Sequence, residues 1–238
     1  MSTRVVYQMK VESIIDHTSQ VRELKLKCLD PVQFQFKAGQ FVMLHVPQAE
    51  GKPALRAYSI ATAEQNQQGY GLLFKYVENG KASQFVWSLK GDEILQMTGP
   101  FGKVFFQEPP TEQVVFLNTG TGLSQHLSYL LSKKAQYPHL RYRLLFGVRH
   151  ESDRYFENEL NQLKNELSDF EWEFVLSRPQ SDWKGKVGYV QNFIEEFDYM
   201  SRPTTFYLCG NGGMIKSTKE TLLAQGFDPK KIWVEAFD

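Results

Sequence analysis

The segment Asn118-Thr119-Gly120-Thr121-Gly122-Leu123-Ser124 is where residue type and spacing first suggest chemistry. It falls where an apolar, strand-like run gives way to a helical pattern. Glycines at such a junction let backbone N–H groups approach a phosphate, and a helix N-terminus favours its negative charge. A Rossmann pattern would place a third glycine at 125, where this chain has Gln125. Taken alone, the motif is equally an ordinary tight turn from strand to helix. A second cluster, Cys209-Gly210-Asn211-Gly212-Gly213-Met214, also lies between a strand-like run and a helix. Ligands of open α/β sheets bind outside the carboxyl ends of the strands, so two glycine-rich strand ends point to one crevice. Cys209 there has two readings: a buried core thiol, or a residue facing a nicotinamide.

Cations gather at neighbouring strand ends. The run Tyr142–Phe146 ends at Gly147-Val148-Arg149, where an NAD site commonly offers an acid to the ribose 2′-hydroxyl. The next run ends at Ser177-Arg178, and Lys184 and Lys186 follow. Singly, each of these reads better as a solvated basic loop residue. As a group with a hydroxyl, they suit a 2′-phosphate and favour NADPH over NADH. In the first half, Arg56-Ala57-Tyr58-Ser59-Ile60 occupies a predicted strand. Alternation assigns Arg56, Tyr58 and Ile60 to one face and Ala57 and Ser59 to the other.

Two kinds of architecture must position these residues. Up to Glu108-Pro109-Pro110 the chain is punctuated like an all-β domain. Strands are predicted over Val5–Ile15, Val21–Leu29, Gln40–Val46, Arg56–Ala61, Tyr70–Val77, Asp92–Met97 and Val104–Phe106, with one helix over Ala82–Leu89. Short, regularly spaced strands of this kind form a barrel or sandwich. Beyond that point strands and helices alternate. The predicted strands are Val114–Asn118, Tyr142–Phe146, Trp172–Ser177, Phe206–Cys209 and Ile232–Phe237. Helices are predicted over Leu123–Ala135, after an Asp153 N-cap, over Val190–Phe197, and over Met214–Gln225 before Gly226. Alternation implies βαβ units and a parallel sheet. The expectation is two domains: an antiparallel β-barrel over 1–110 and an α/β domain with a parallel sheet over 111–238.

Composition narrows the function classes. The 238 residues are 42% hydrophobic and 23% charged, enough for a sizeable core without covalent staples. Basic and acidic residues number 27 each, so no global charge favours nucleic acid or an anionic membrane. With only two cysteines, neither a disulfide framework nor a thiolate-built zinc or iron–sulfur site is expected. The five histidines show no metal-ligand spacing, so no metal site is expected. No apolar run spans a bilayer and no secretory signal opens the chain, so the expectation is a cytoplasmic protein; a monomer is expected, although no residue pattern specifies the oligomeric state.

The motifs occur in a telling order. Arg56-Ala57-Tyr58-Ser59 comes first, then Gly80-Lys81-Ala82-Ser83 opening a helix, then Gly99-Pro100-Phe101-Gly102. Gly120-Thr121-Gly122, Cys209-Gly210 with Met214, and Val234-Glu235 with Phe237 follow. This order resembles the ferredoxin–NADP reductase family, and within it the bacterial ferredoxin/flavodoxin reductases, along essentially the whole chain. The resemblance implies an FAD-binding barrel followed by a pyridine-nucleotide domain. Arg56 would bind the FAD diphosphate, Tyr58 would lie against the isoalloxazine ring, and Ser59 would offer its hydroxyl to flavin N5. The helix start at Gly80, Lys81, Ala82 and Ser83 would give backbone and hydroxyl donors to that diphosphate. Gly120, Thr121 and Gly122 would receive the NADPH diphosphate, and Arg149, Ser177, Arg178 and Lys186 its 2′-phosphate. Cys209 and Glu235 would flank the site where nicotinamide meets flavin, Gly210 and Met214 would belong to the cofactor-binding residues, and Phe237 would cover the flavin. The implied activity is hydride transfer between NADPH and FAD, with single electrons passed to or from a separate ferredoxin or flavodoxin.

The chain departs from the family pattern in three places. Gln125 stands where proline is usual, Phe237 where tyrosine is commoner, and Asp238 follows it. No four-cysteine ferredoxin domain is present in the sequence. Rival readings are a reductase that treats flavin as a diffusing substrate, the reductase component of an oxygenase system, and a nucleotide-binding module without turnover. A serine hydrolase is excluded, because Ser124 lacks the closing glycine of an elbow and His126 is two positions away on a helix.

Overall fold

The computed structural model of the chain describes residues 5–237, with Phe237 described by its backbone alone. Two compact units are present: residues up to Phe105 together with Leu127–Ser132, and Phe106–His126 together with Lys133 onward.

The first unit is an antiparallel sheet of β1 (Val6–Thr18), β2 (Val21–Asp30), β3 (Phe41–Val46), β4 (Ala54–Ser59), β5 (Gly69–Lys75) and β6 (Ile94–Phe101). Their order is β4-β3-β6-β1-β2-β5. The two end strands also meet: Ile60, just past β4, bridges Leu72 of β5, and the Ala61 N–H donates to the Gly71 carbonyl at 2.9 Å. That contact curls the sheet into the expected barrel form. Alternating residues fill its interior: Leu24, Leu26 and Cys28 on β2, Val42, Leu44 and Val46 on β3, and Leu72 and Phe74 on β5 are all buried. Helix α1 (Lys81–Ser88) drives Val86 into this core.

The second unit is a wholly parallel sheet of β7 (Gln113–Thr119), β8 (Arg141–Val148), β9 (Phe170–Leu176), β10 (Lys186–Val187), β11 (Thr204–Asn211) and β12 (Ile232–Phe237). Its order is β10-β9-β8-β7-β11-β12. The central strands β7 and β11 are buried almost end to end, as the continuous apolar runs of a parallel sheet require. Helices α2 (Leu123–Lys133), α3 (Glu157–Glu166) and α4 (Gly212–Ala224) connect the strands. No helix is long and apolar enough among the described residues to cross a membrane.

Two local expectations are corrected. Residues Val104–Phe106 form no strand, because the β3–β6 ladder ends at the Phe41–Phe101 pair and Gly102 (φ 104°) turns the chain away. The Val104 carbonyl instead accepts the Tyr129 hydroxyl at 2.7 Å. Asp153 does not cap α3. It closes a 3₁₀ turn over Glu151–Asp153 by accepting the His150 N–H at 3.0 Å, and α3 starts later, after Phe156. The helix expected over Val190–Phe197 is present with those bounds, as a 3₁₀-helix. Strand β10 was not expected, since two residues give no periodicity to read.

Candidate functional site

In the first unit the strand β4 and the start of α1 carry the expected residues. Arg56 is exposed; one guanidinium nitrogen donates to the Leu55 carbonyl at 2.9 Å, and no carboxylate pairs with it among the described residues. Tyr58 is half-buried against Phe74, with ring centroids 4.3 Å apart. Burial pushes its hydroxyl up to about 12, with the Arg56 charge working in the opposite sense. Simple alternation fails after Tyr58. Ser59 and Ile60 are both buried, because β4 ends there and Ile60 crosses to Leu72.

Ser59 is only 4% exposed, and its hydroxyl has no hydrogen-bond partner among the described residues. Buried polar groups without partners are uncommon in native proteins and call for an explanation.

A short covalent and packing path links this strand to α1. Phe74 under Tyr58 precedes Lys75, whose carbonyl accepts from Ser83 Oγ at 3.4 Å; the same hydroxyl accepts the Val77 N–H at 2.8 Å. The Ser83 hydroxyl is therefore engaged in the turn. Lys81 reaches Gln48 at 2.6 Å, and Ala82 packs against the core. The N-cap position is Gly80, without a side-chain cap, so the first backbone N–H groups of α1 are left to an outside acceptor. An exposed fork of cationic donors, an open helix start and an orphaned buried hydroxyl fit a ligand that carries a diphosphate and a polar ring. That is the donor set FAD requires.

In the second unit the two glycine clusters meet. A Cβ on Gly122 would collide with the Cys209 carbonyl oxygen, and one on Gly210 would lie 2.7 Å from the Thr119 carbonyl oxygen. Thr119 Oγ1 accepts the Asn211 N–H at 2.9 Å, which ties the loops together. Their helix starts differ. The α4 start is closed by Asn211, whose Oδ1 accepts from Gly213 N at 2.9 Å and Met214 N at 3.3 Å. The turn Gly120–Gly122 leading into α2 has no side-chain cap. Gly120 sits at φ 51° with nothing within 4 Å of where a Cβ would stand. The end without a side-chain cap is thus at Gly120, Thr121 and Gly122, whereas Gly210 makes the close approach and the Met214 N–H meets the Asn211 cap.

Arg149, Ser177 and Arg178 are brought together. Arg178 N donates to Arg149 O at 2.8 Å, and Ser177 N donates to Val148 O at 3.1 Å. Both arginines are exposed, and neither has an ion-pair partner among the described residues. His150, which the sequence reading passed over, braces this join through Nδ1 at 2.6 Å from the Arg178 carbonyl. Lys186 is not part of the group. The β9–β10 register sets it beside Val175, and its ammonium pairs with Glu196 at 2.5 Å and Glu173 at 3.5 Å. Its charge is already met by these two carboxylates.

Cys209 is fully buried, and burial together with the Glu235 carboxyl holds its thiol well above the ordinary range. It is a neutral thiol and no nucleophile. Glu235 is its neighbour in the β11–β12 ladder. Burial pushes the Glu235 carboxyl up to about 7, against a hydrogen bond from Gln125 Nε2 at 2.5 Å. This pairing spans 110 residues of sequence, and no local signal announces it. The side chain of Phe237 and all of Asp238 lie outside the described residues.

Fold and site together define a two-domain oxidoreductase with one flavin-binding and one pyridine-nucleotide-binding domain. Comparison with known families agrees: an oxidoreductase FAD-binding domain matches residues 8–106 and an oxidoreductase NAD-binding domain matches residues 116–220. Ferredoxin--NADP reductase B of Sorangium cellulosum is 31% identical over 226 residues, covering 92% of both chains. The chain belongs to the ferredoxin–NADP reductase family. It is also 27% identical to DmpP, the reductase component of phenol 2-monooxygenase from Pseudomonas, covering 97% of this chain but 65% of that protein. Among solved structures, Amycolatopsis cytochrome P450 reductase GcoB superposes with a TM-score of 0.90 at 24% identity, covering 99% of this chain and 71% of that one.

Proposed function

We propose that the protein is an NADPH-dependent reductase that exchanges electrons with a separate ferredoxin or flavodoxin, acting as a cytoplasmic monomer. The FAD half would occupy residues 1–110 and the nucleotide half 111–238. The observation that carries the reading is Ser59: a buried hydroxyl without a partner among the described residues, three positions from Arg56, which meets no carboxylate among them. FAD, when bound, supplies the acceptor for a hydride and the centre from which electrons leave singly. Arg56 would hold its diphosphate with the backbone donors of Gly80, Lys81 and Ala82, and Tyr58 would support its ring. Ser59 would present its hydroxyl proton to the ring edge.

On the nucleotide side, Gly120, Thr121 and Gly122 would bind the diphosphate of NADPH. Arg149 and Arg178, with the Ser177 hydroxyl, would clamp its 2′-phosphate; their lack of an ion-pair partner among the described residues supports NADPH over NADH. Cys209 would give a neutral, apolar wall to the nicotinamide, and Glu235 a carboxylate beside it. Both act by orientation, which is worth most when the reacting atoms are held in near-attack geometry.

The test is flavin identification by mass in the purified protein, followed by anaerobic mixing with NADPH and NADH. The reading requires bound FAD that bleaches faster with NADPH. Ser59→Ala should keep FAD bound and slow bleaching. Colourless protein that reduces added flavin would instead establish the free-flavin alternative. The likeness to an oxygenase reductase component supports a second reading, in which the electrons pass to an oxygenase; turnover with purified ferredoxin or flavodoxin separates the two.

A further inference from the structure

We propose that Gln125 is a positioning residue of the nucleotide half, its side-chain amide fixing the Glu235 carboxylate beside the end of β11. The inference rests on the function proposed above, in which Glu235 stands next to the nicotinamide. Gln125 lies in the first turn of α2 and is 1% exposed, so its amide cannot trade its partners freely for water. Its Nε2 donates to Glu235 Oε2 at 2.5 Å, and a hydrogen bond to an ionised acceptor is stronger than one between neutral groups. A proline at this position has no side-chain donor and could not make this contact.

The chemistry gives the contact a purpose. A nicotinamide that surrenders hydride becomes a cation, so an ionised carboxylate fixed nearby favours that direction. Burial works against ionisation of Glu235 and the Gln125 amide works for it. The other groups around β12 do not substitute for the amide. The Cys209 thiol on β11 is neutral. On α4, Lys216, Lys219 and Glu220 are exposed, and Lys216 faces Glu220 at 4.0 Å. No lysine or arginine pairs with Glu235 among the described residues.

The test is a ¹³C NMR titration of Glu235 in FAD-loaded protein with labelled glutamate carboxyls, the signal assigned by its loss in Glu235→Gln. The Gln125→Met variant keeps the buried volume and removes the amide. Its Glu235 titration midpoint should rise, with about a tenfold gain in proton affinity. Stopped-flow flavin reduction by NADPH should show the same displacement of its acid limb, with wild-type rates regained at high pH. In a Glu235→Gln background, Gln125→Met should change the reduction rate less than twofold at any pH. An unmoved NMR midpoint overturns the contact, and a moved midpoint with an unmoved rate profile overturns the positioning role. Absence of any NADPH reduction in wild type would refute the underlying function, while the NMR titration would still report on the contact itself. Should Gln125→Met fail to fold, Gln125→Glu serves: a second carboxylate there must raise the Glu235 midpoint, and an unchanged midpoint overturns the proposal.

Discussion

Gly122→Ala tests the packing that joins the two glycine loops. A Cβ at this position would strike the Cys209 carbonyl oxygen and stand 2.6 Å from its carbon and 2.9 Å from the Gly210 nitrogen. All three are backbone atoms of β11, a strand hydrogen-bonded on both sides, so no side chain can swing away. Overpacking of a rigid contact costs roughly 1–3 kcal/mol. For a chain of this size each kcal/mol lowers Tm by about 2–4 °C, so a drop of about 2–12 °C is expected. Gly120→Ala is the internal control. Its φ of 51° carries a left-handed penalty, but nothing lies within 4 Å of the new Cβ. Its cost should be about 1 kcal/mol, with a methyl group left standing over the proposed diphosphate position. Thermal unfolding and the KM for NADPH, measured on both variants, separate the effects. Gly122→Ala should lose more stability, and both variants should bind NADPH more weakly. Wild-type Tm in Gly122→Ala, or a larger loss in Gly120→Ala, would refute the packing argument.

Three further outcomes are expected. Arg178→Ala should raise the KM for NADPH at least tenfold more than that for NADH, whereas Lys186→Ala, whose charge already meets Glu173 and Glu196, should change neither beyond about twofold; steady-state diaphorase assays decide. Asn211→Ala removes the α4 cap and should cost about 1 kcal/mol in urea unfolding, with flavin content unchanged. Glu235 has a folded pKa raised to about 7, so the stability it contributes is complete below the unfolded carboxylate range and is lost as pH climbs through 7. Glu235→Gln should therefore gain stability relative to wild type on going from pH 4 to pH 8.5, on the order of 3 kcal/mol, and equal gains at both pH values would remove the assignment.

Much of this architecture was legible because its signals are local. The alternation of Leu24, Leu26 and Cys28, and the apolar run from Val114 to Leu117, report burial on one face or on two without reference to any distant partner. The glycine clusters were legible for the same reason, since each sits at its own strand end. What escaped was relational. Asp153 looks like a cap in sequence, but a three-residue turn claims its carboxylate before α3 begins. The Ser83 hydroxyl looked free until the turn at Val77 came back to meet it. Lys186 belonged by spacing to a basic group, yet a two-residue strand placed it between acids. Gln125 read as a missing proline, and its partner lies at the far end of the chain.

The two sulfhydryl groups have a practical use that follows from their enclosure. Cys28 lies in one folding unit and Cys209 in the other, and both are sealed from solvent. An alkylating reagent can reach each only when its own unit opens. Mass mapping of the two labelled peptides over time would thus clock the breathing of each half separately, in a single tube and without any engineered probe.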